Sequence, residues 1–148
     1  MKPSSLALVI AQFVLIALVA SPIRKLVASD VLSMVGLILI ALAVLLAVWA
    51  LRSMSSGTFQ VLPEPTKKSQ LTMSGPYRFV RHPMYSAVIL AGIGAALSHS
   101  TFWHAAVLIA LIAVLILKIY REESFLLSRY ENYASYLQRS KALIPFIY

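Results

Sequence analysis

From Val31 to Leu51 the chain runs through twenty-one residues without a single charge, VLSMVGLILIALAVLLAVWAL. Such a run leaves few options. Its apolar side chains cover every side of a helix, so it offers no polar stripe for water, and as a helix it reaches ~31 Å, about the thickness of the hydrocarbon core of a bilayer. Three more apolar segments share the chain: Ser4–Ser21, Met84–Leu97 and Phe102–Tyr120. The first and last are also ~27 to 29 Å long as helices, whereas Met84–Leu97 reaches only ~21 Å and must tilt, thin the bilayer or sit behind its neighbours. With 60% hydrophobic residues and a mean hydropathy of +0.84, lipid is the expected solvent.

The expected fold class is therefore an all-α membrane protein of four transmembrane helices forming one domain over residues 1–148. Residues 1–52 supply two spans, 53–83 a cytoplasmic loop, 84–120 a helical hairpin and 121–148 an amphipathic tail. Lys2 before an apolar run invites a signal-peptide reading of the first segment. That run is long for a signal peptide, and Leu18-Val19-Ala20 makes a poor cleavage site.

The net charge of +8 and the pI near 10.1 would point to nucleic acid in a soluble protein. Here the basic residues flank apolar runs, which is how membrane topology is encoded, so no nucleic-acid partner is expected. With the N-terminus in the cytoplasm, the inner side holds eleven Lys and Arg residues and the outer side only Arg24 and Lys25. This positive-inside bias places both termini in the cytoplasm of an integral, most simply the inner, membrane. The chain has no cysteine, which excludes disulfides, a thiolate nucleophile and Cys-ligated metal. His99 and His104 sit at the far end of the hairpin from His82, no cluster has metal-ligand spacing, and no metal is expected.

The short turn Ser98–Thr101 folds the last two apolar segments into a hairpin, which brings Arg81-His82 and Glu122-Glu123, forty residues apart, to one mouth. Adjacent helical residues point ~100° apart, so one carboxylate is expected to face the bundle and the other water, Lys118 or Arg121. Pro83 opens a helix whose free N–H groups suit an anionic group. The long connection Arg52–Arg81 is rich in Ser, Thr, Gly and Pro, and loops of that length are functional or disordered. Past Tyr120, Leu126, Tyr130, Tyr133 and Leu137 share a helical face, which predicts an amphipathic helix Phe125–Gln138 at the membrane surface.

Three elements, G-P-Y-R-F-V-R-H-P-M-Y (Gly75–Tyr85), R-E-E (Arg121–Glu123) and F-L-L-S-R-Y-E-N-Y-A-S-Y-L-Q-R-S-K-A-L-I-P (Phe125–Pro145), occur in that order. In them the chain resembles the isoprenylcysteine carboxyl methyltransferase and phospholipid methyltransferase superfamily, integral membrane enzymes that use S-adenosylmethionine. The resemblance covers about half the chain, Thr72 to Pro145. It implies that His82 holds the methionine end of the cofactor, with Pro83 and Tyr85 shaping the helix start, and that Glu122 and Glu123 bind its ribose or amino group. Ile144-Pro145 resembles the C-terminal element that folds over the cofactor, and Gly92-Ile93-Gly94 the G-x-G of phospholipid N-methyltransferases; a lone G-x-G in a membrane helix also serves close packing. Tyr77 or Tyr85 is expected to face the sulfonium by a cation–π contact. Arg81 and Glu123 are the candidate catalytic residues, with Glu123 the expected inward-facing acid, and the helix Phe125–Gln138 would act as a lid.

The implied function is methyl transfer to a lipophilic or lipid substrate, of the isoprenylcysteine carboxyl methyltransferase type or, alternatively, to a phospholipid amine. Only two helices precede the motif core, fewer than in larger members, so the resemblance does not carry over the substrate. A non-catalytic scaffold or small transporter shares this composition, but a transporter places ionisable groups at mid-bilayer, whereas these gather at one face. A lipid sensor would use the basic loop and tail alone. Cofactor binding separates all three from the enzyme.

Overall fold

The computed structural model describes residues 3–20, 30–54, 71–99, 101–145 and 147. Five α-helices follow one another, α1 Pro3–Ala20, α2 Val31–Ser53, α3 Pro83–His99, α4 Phe102–Arg129 and α5 Tyr133–Arg139, with a 3₁₀ turn Gly75–Arg78 before α3. No strand forms among the described residues; Val80 and Lys141 make an isolated parallel bridge. The connection 21–29, most of the long loop (55–70) and Ser100 lie outside the described residues, and with them Arg24, Lys25, Lys67 and Lys68 of the charge count.

Local sequence sets the helix starts. Asp30 caps α2 in an extended conformation, its side chain accepting from Ser33 N at 2.7 Å, which satisfies one of the amides a helix N-terminus leaves open. Pro83 takes the first position of α3, where its missing N–H costs nothing. Each apolar segment is a helix. Two of them, α2 with 23 residues and α4 with 28, are long and apolar enough to cross a membrane, while α1 and α3 are apolar but shorter.

The expected amphipathic helix Phe125–Gln138 is not one element. The α4 helix continues unbroken to Arg129, and after a break at Tyr130–Asn132 the short α5 carries Tyr133 and Tyr136 inward. At 28 residues α4 is ~42 Å long, about two turns more than a hydrocarbon core needs.

The α2 and α3 helices pack along each other where both lack side chains. A Cβ on Gly36 would lie 2.5 Å from Gly94 O, and a Cβ on Gly94 would lie 2.5 Å from Gly36 O, so the two backbones touch at a place only glycine permits. The α1 helix lies against α4 and α3. Leu111, Leu115 and Ile119 of α4 form the buried seam. Ile10 and Val14 of α1, Ile38, Leu42 and Leu45 of α2, and Ile109 and Leu117 of α4 point outward. That exposed apolar belt is what a lipid-facing surface requires.

Candidate functional site

The Gly75–Tyr85 motif begins as a sharp turn between α2 and α3. Gly75 takes φ of +60°, where a side chain would be strained, and a Cβ there would meet Ser53 Cβ at 2.8 Å. The turn buries Pro76 and Tyr77, and Tyr136 OH donates to Tyr77 O. The chain then runs alongside the C-terminal segment. Arg81 N donates to Lys141 O at 2.7 Å, His82 N to Ala142 O at 3.0 Å, and Lys141 N to Phe79 O at 3.3 Å. Ser86 Oγ adds a bond to Leu143 O at 2.6 Å. The amides of Arg81 and His82 are thus occupied by the chain's own carbonyls, and in the first turn of α3 the Tyr85 and Ser86 amides both donate to His82 O.

The hairpin brings the acidic pair to this point, as its short turn requires. Arg81 Nε donates to Glu123 Oε1 at 2.7 Å. His82 lies between the two carboxylates, with Nε2 3.2 Å from Glu123 Oε1 and Nδ1 3.6 Å from Glu122 Oε2. Tyr85 OH donates to Glu122 Oε2 at 3.0 Å, and its ring lies parallel to the imidazole, centroids 5.5 Å apart. Neither carboxylate turns fully to water: of the alternatives expected for the second one, it pairs with an arginine, and that arginine is Arg81 and not Arg121. The ~100° between them is taken up by placing one on each side of His82, itself only 6% exposed. Pairing keeps these charges tolerable away from water. Arg81 also donates to Leu137 O and Ser140 O, which ties the segment after α5 to the same centre.

Beside this cluster opens a cavity of about 280 Å³, near the lower end of the ~300–1,000 Å³ usual for small-molecule sites. Tyr77, Arg81, His82, Pro83, Tyr85 and Glu122 line one side. Glu123 stands behind them, held by Arg81 and His82, so the acid on the cavity wall is Glu122 and not Glu123. Gly94 is spent on the contact with α2, and Gly92 faces Leu108 of α4 and a separate apolar cavity of about 130 Å³; neither lines the cavity beside His82. Ile144 and Pro145 are exposed; the preceding Ala142 and Leu143 are the buried ones, packed with Ile119, Tyr85 and Ile89.

Two residues that sequence reasoning missed complete the wall, Lys118 and Gln12. Lys118, named from the sequence only as a candidate partner of the second carboxylate, is 1% exposed; its Nζ donates to Gln12 Oε1 at 2.5 Å and lies 5.2 Å from the Tyr85 ring centroid. The signal was available: Gln12 interrupts an apolar run, and Lys118 precedes Glu122 by one helical turn. Burial, reinforced by the nearby Glu122 charge, pushes the Tyr77 hydroxyl up to about 12, so it remains a neutral donor throughout the physiological range. Tyr133 OH is buried with no hydrogen-bond partner among the described residues, and burial raises its pKa as well. No group of three or more metal-ligating side chains occurs among the described residues.

Compared with known families, residues 31–133, which run from the start of α2 to the start of α5, match the model of a family described as phospholipid methyltransferase. Among curated proteins no match was found.

Proposed function

This chain belongs to the phospholipid methyltransferase family, and from that premise we propose that it is a four-span integral membrane enzyme transferring a methyl group from S-adenosylmethionine to a lipophilic methyl acceptor. The observation that carries the reading is the Glu122–Tyr85–His82–Glu123–Arg81 cluster beside a cavity that Phe13, Ile16, Met54, Met84 and Val88 also line. The residues present fit that cofactor. It bears a sulfonium, an ammonium and a carboxylate. The wall offers a carboxylate in Glu122, the aromatic rings of Tyr77, Tyr85 and His82, and a guanidinium in Arg81. Aromatic faces and a carboxylate suit cations, and a guanidinium suits a carboxylate.

In this reading Glu122 holds a cationic or hydroxyl group of the cofactor, with Tyr85 OH fixing the carboxylate's direction. Glu123 is a positioning residue, which locks Arg81 and His82 in place through its 2.7 and 3.2 Å contacts. The cofactor supplies an already activated methyl group, so the protein's task is alignment in a site shielded from water. Tyr77 and Tyr85 supply half-polar walls, and Phe13, Ile16 and Val88 in the same lining admit hydrocarbon. The cytoplasmic position of the cavity follows from the charge asymmetry.

For the methyl acceptor, the isoprenylcysteine carboxylate and the phospholipid amine both fit an apolar approach, and the family description favours the amine. The deciding experiment incubates purified protein with methyl-labelled S-adenosylmethionine and a membrane lipid extract. Label is expected in the lipid phase, stable to base for an amine product and base-labile for a methyl ester. Absence of transfer, together with no calorimetric binding of S-adenosylmethionine or its demethylated product, refutes the enzyme.

A further inference from the structure

Lys118 and Gln12 have no part in the cofactor site just described, yet both stand on the same cavity wall. An ammonium 1% exposed is expensive to keep away from water, and the chain spends a second buried polar residue, Gln12 at 7%, on holding it there. Their position is informative. Along α4 Lys118 lies one turn from Glu122, and it stands over the Tyr85 ring of α3; one turn further along α3 is Val88 and one turn on from Gln12 along α1 is Ile16, all in the same lining. Ile16 and Val88 also line the second cavity, whose lining is apolar throughout. Away from the Glu122 end the lining thus changes from carboxylate and phenol, through an ammonium, to hydrocarbon. An apolar cavity of this kind favours hydrocarbon over water, and the cation of Lys118, in the lining of the adjoining first cavity, favours an anion.

We infer that Lys118, oriented by Gln12, anchors an anionic headgroup, phosphate or carboxylate, of the methyl acceptor, whose apolar chain continues past Ile16 and Val88. The assignment of this ligand as the methyl acceptor rests on the methyltransferase reading; the binding preference itself does not. An ammonium offers three donors, so its bond to Gln12 is compatible with donation to an oxyanion. Phe13 and Ile16 fix the direction in which the chain leaves, and Tyr85 connects the two ends, since it touches both Glu122 and Lys118.

The test uses the full chain in a neutral maltoside detergent, with and without S-adenosylmethionine. Dodecyl phosphate, dodecanoate and dodecanol, three single-chain probes that differ in the headgroup, are titrated against wild type, K118M and K118R. Wild type is expected to bind at least one of the two anionic probes about tenfold or more tightly than dodecanol, the effect of a charge-assisted bond. The tighter of the two identifies the headgroup. K118M brings both anions down to the affinity of dodecanol, and K118R keeps most of the preference. Equal affinity of wild type for all three probes overturns the inference with no variant needed. A K118M protein that unfolds at lower temperature but keeps the anion preference also overturns it, because Lys118 then only ties α1 to α4. A Lys118-dependent anion preference without S-adenosylmethionine binding leaves the subsite standing and refutes the methyltransferase reading; cofactor binding without anion preference does the reverse.

Discussion

His82 is held on both sides by carboxylates, and the two carboxylates are not equivalent. Glu122 faces the cavity and accepts from Tyr85, whereas Glu123 is saturated by Arg81 and His82. Replacing Glu122 by Gln removes a charge from the cavity wall, converting a charge-assisted bond to the cofactor of ~1.5–3 kcal/mol into a weaker neutral one, so calorimetry should show S-adenosylmethionine affinity falling about tenfold to a hundredfold. Glu123→Gln should act through the fold instead. Arg81 loses its ionic partner in a half-buried place, and thermal unfolding in detergent should report a loss of about 1–3 kcal/mol with a smaller effect on cofactor affinity. The reverse ranking would return the pocket to Glu123. That His82 and the acidic pair meet was legible in the sequence, because a hairpin with a four-residue turn allows nothing else. The rotation that puts Glu122 on the wall was not, since Arg81 from another segment decides it. The burial of Lys118 was not legible for the same reason: its partner is Gln12, 106 residues earlier.

The four apolar helices were legible from composition, because a run without charge has no other use for its residues. The break between α4 and α5 was not. Leu126, Tyr130, Tyr133 and Leu137 fit one continuous face, and tertiary bonds override that pattern, with Arg81 taking Leu137 O and Ser140 O and Tyr136 reaching Tyr77 O. Arg81→Lys removes the fork that holds these carbonyls together with Glu123. Hydrogen exchange at the Lys141 and His82 amides, which bridge the same segments, is expected to quicken in that variant, and unchanged protection would show that the backbone bridge suffices. The α2–α3 contact makes a second prediction at this scale. Gly94→Val drives side-chain atoms into Gly36 O, a backbone atom that cannot step aside, and should cost about 1–3 kcal/mol or more in thermal unfolding. Gly92→Ala meets only Leu108 Cδ1, the end of a flexible side chain, and should be the milder of the two.

For the whole molecule, the proposed four spans and the charge asymmetry of the sequence predict both ends of the chain on the cytoplasmic side. Reporters fused to either end should be active only there; a C-terminal reporter active outside would rule out four spans. The outward Ile, Leu and Val side chains of α1, α2 and α4 form the surface that detergent or lipid must cover. One feature of α4 bears on how the enzyme answers to that lipid. From Phe102 to Arg129 the helix has no hinge, so the part seated in hydrocarbon and the turn carrying Lys118, Glu122 and Glu123 move as a rigid lever. A bilayer that thickens or thins changes the tilt of such a helix. The swing reaches the carboxylates around His82, while the His82 backbone amide stays tied to Ala142 O in the C-terminal segment. Membrane thickness then becomes a setting of the active site, and methyl transfer measured in bilayers of increasing acyl length should pass through an optimum.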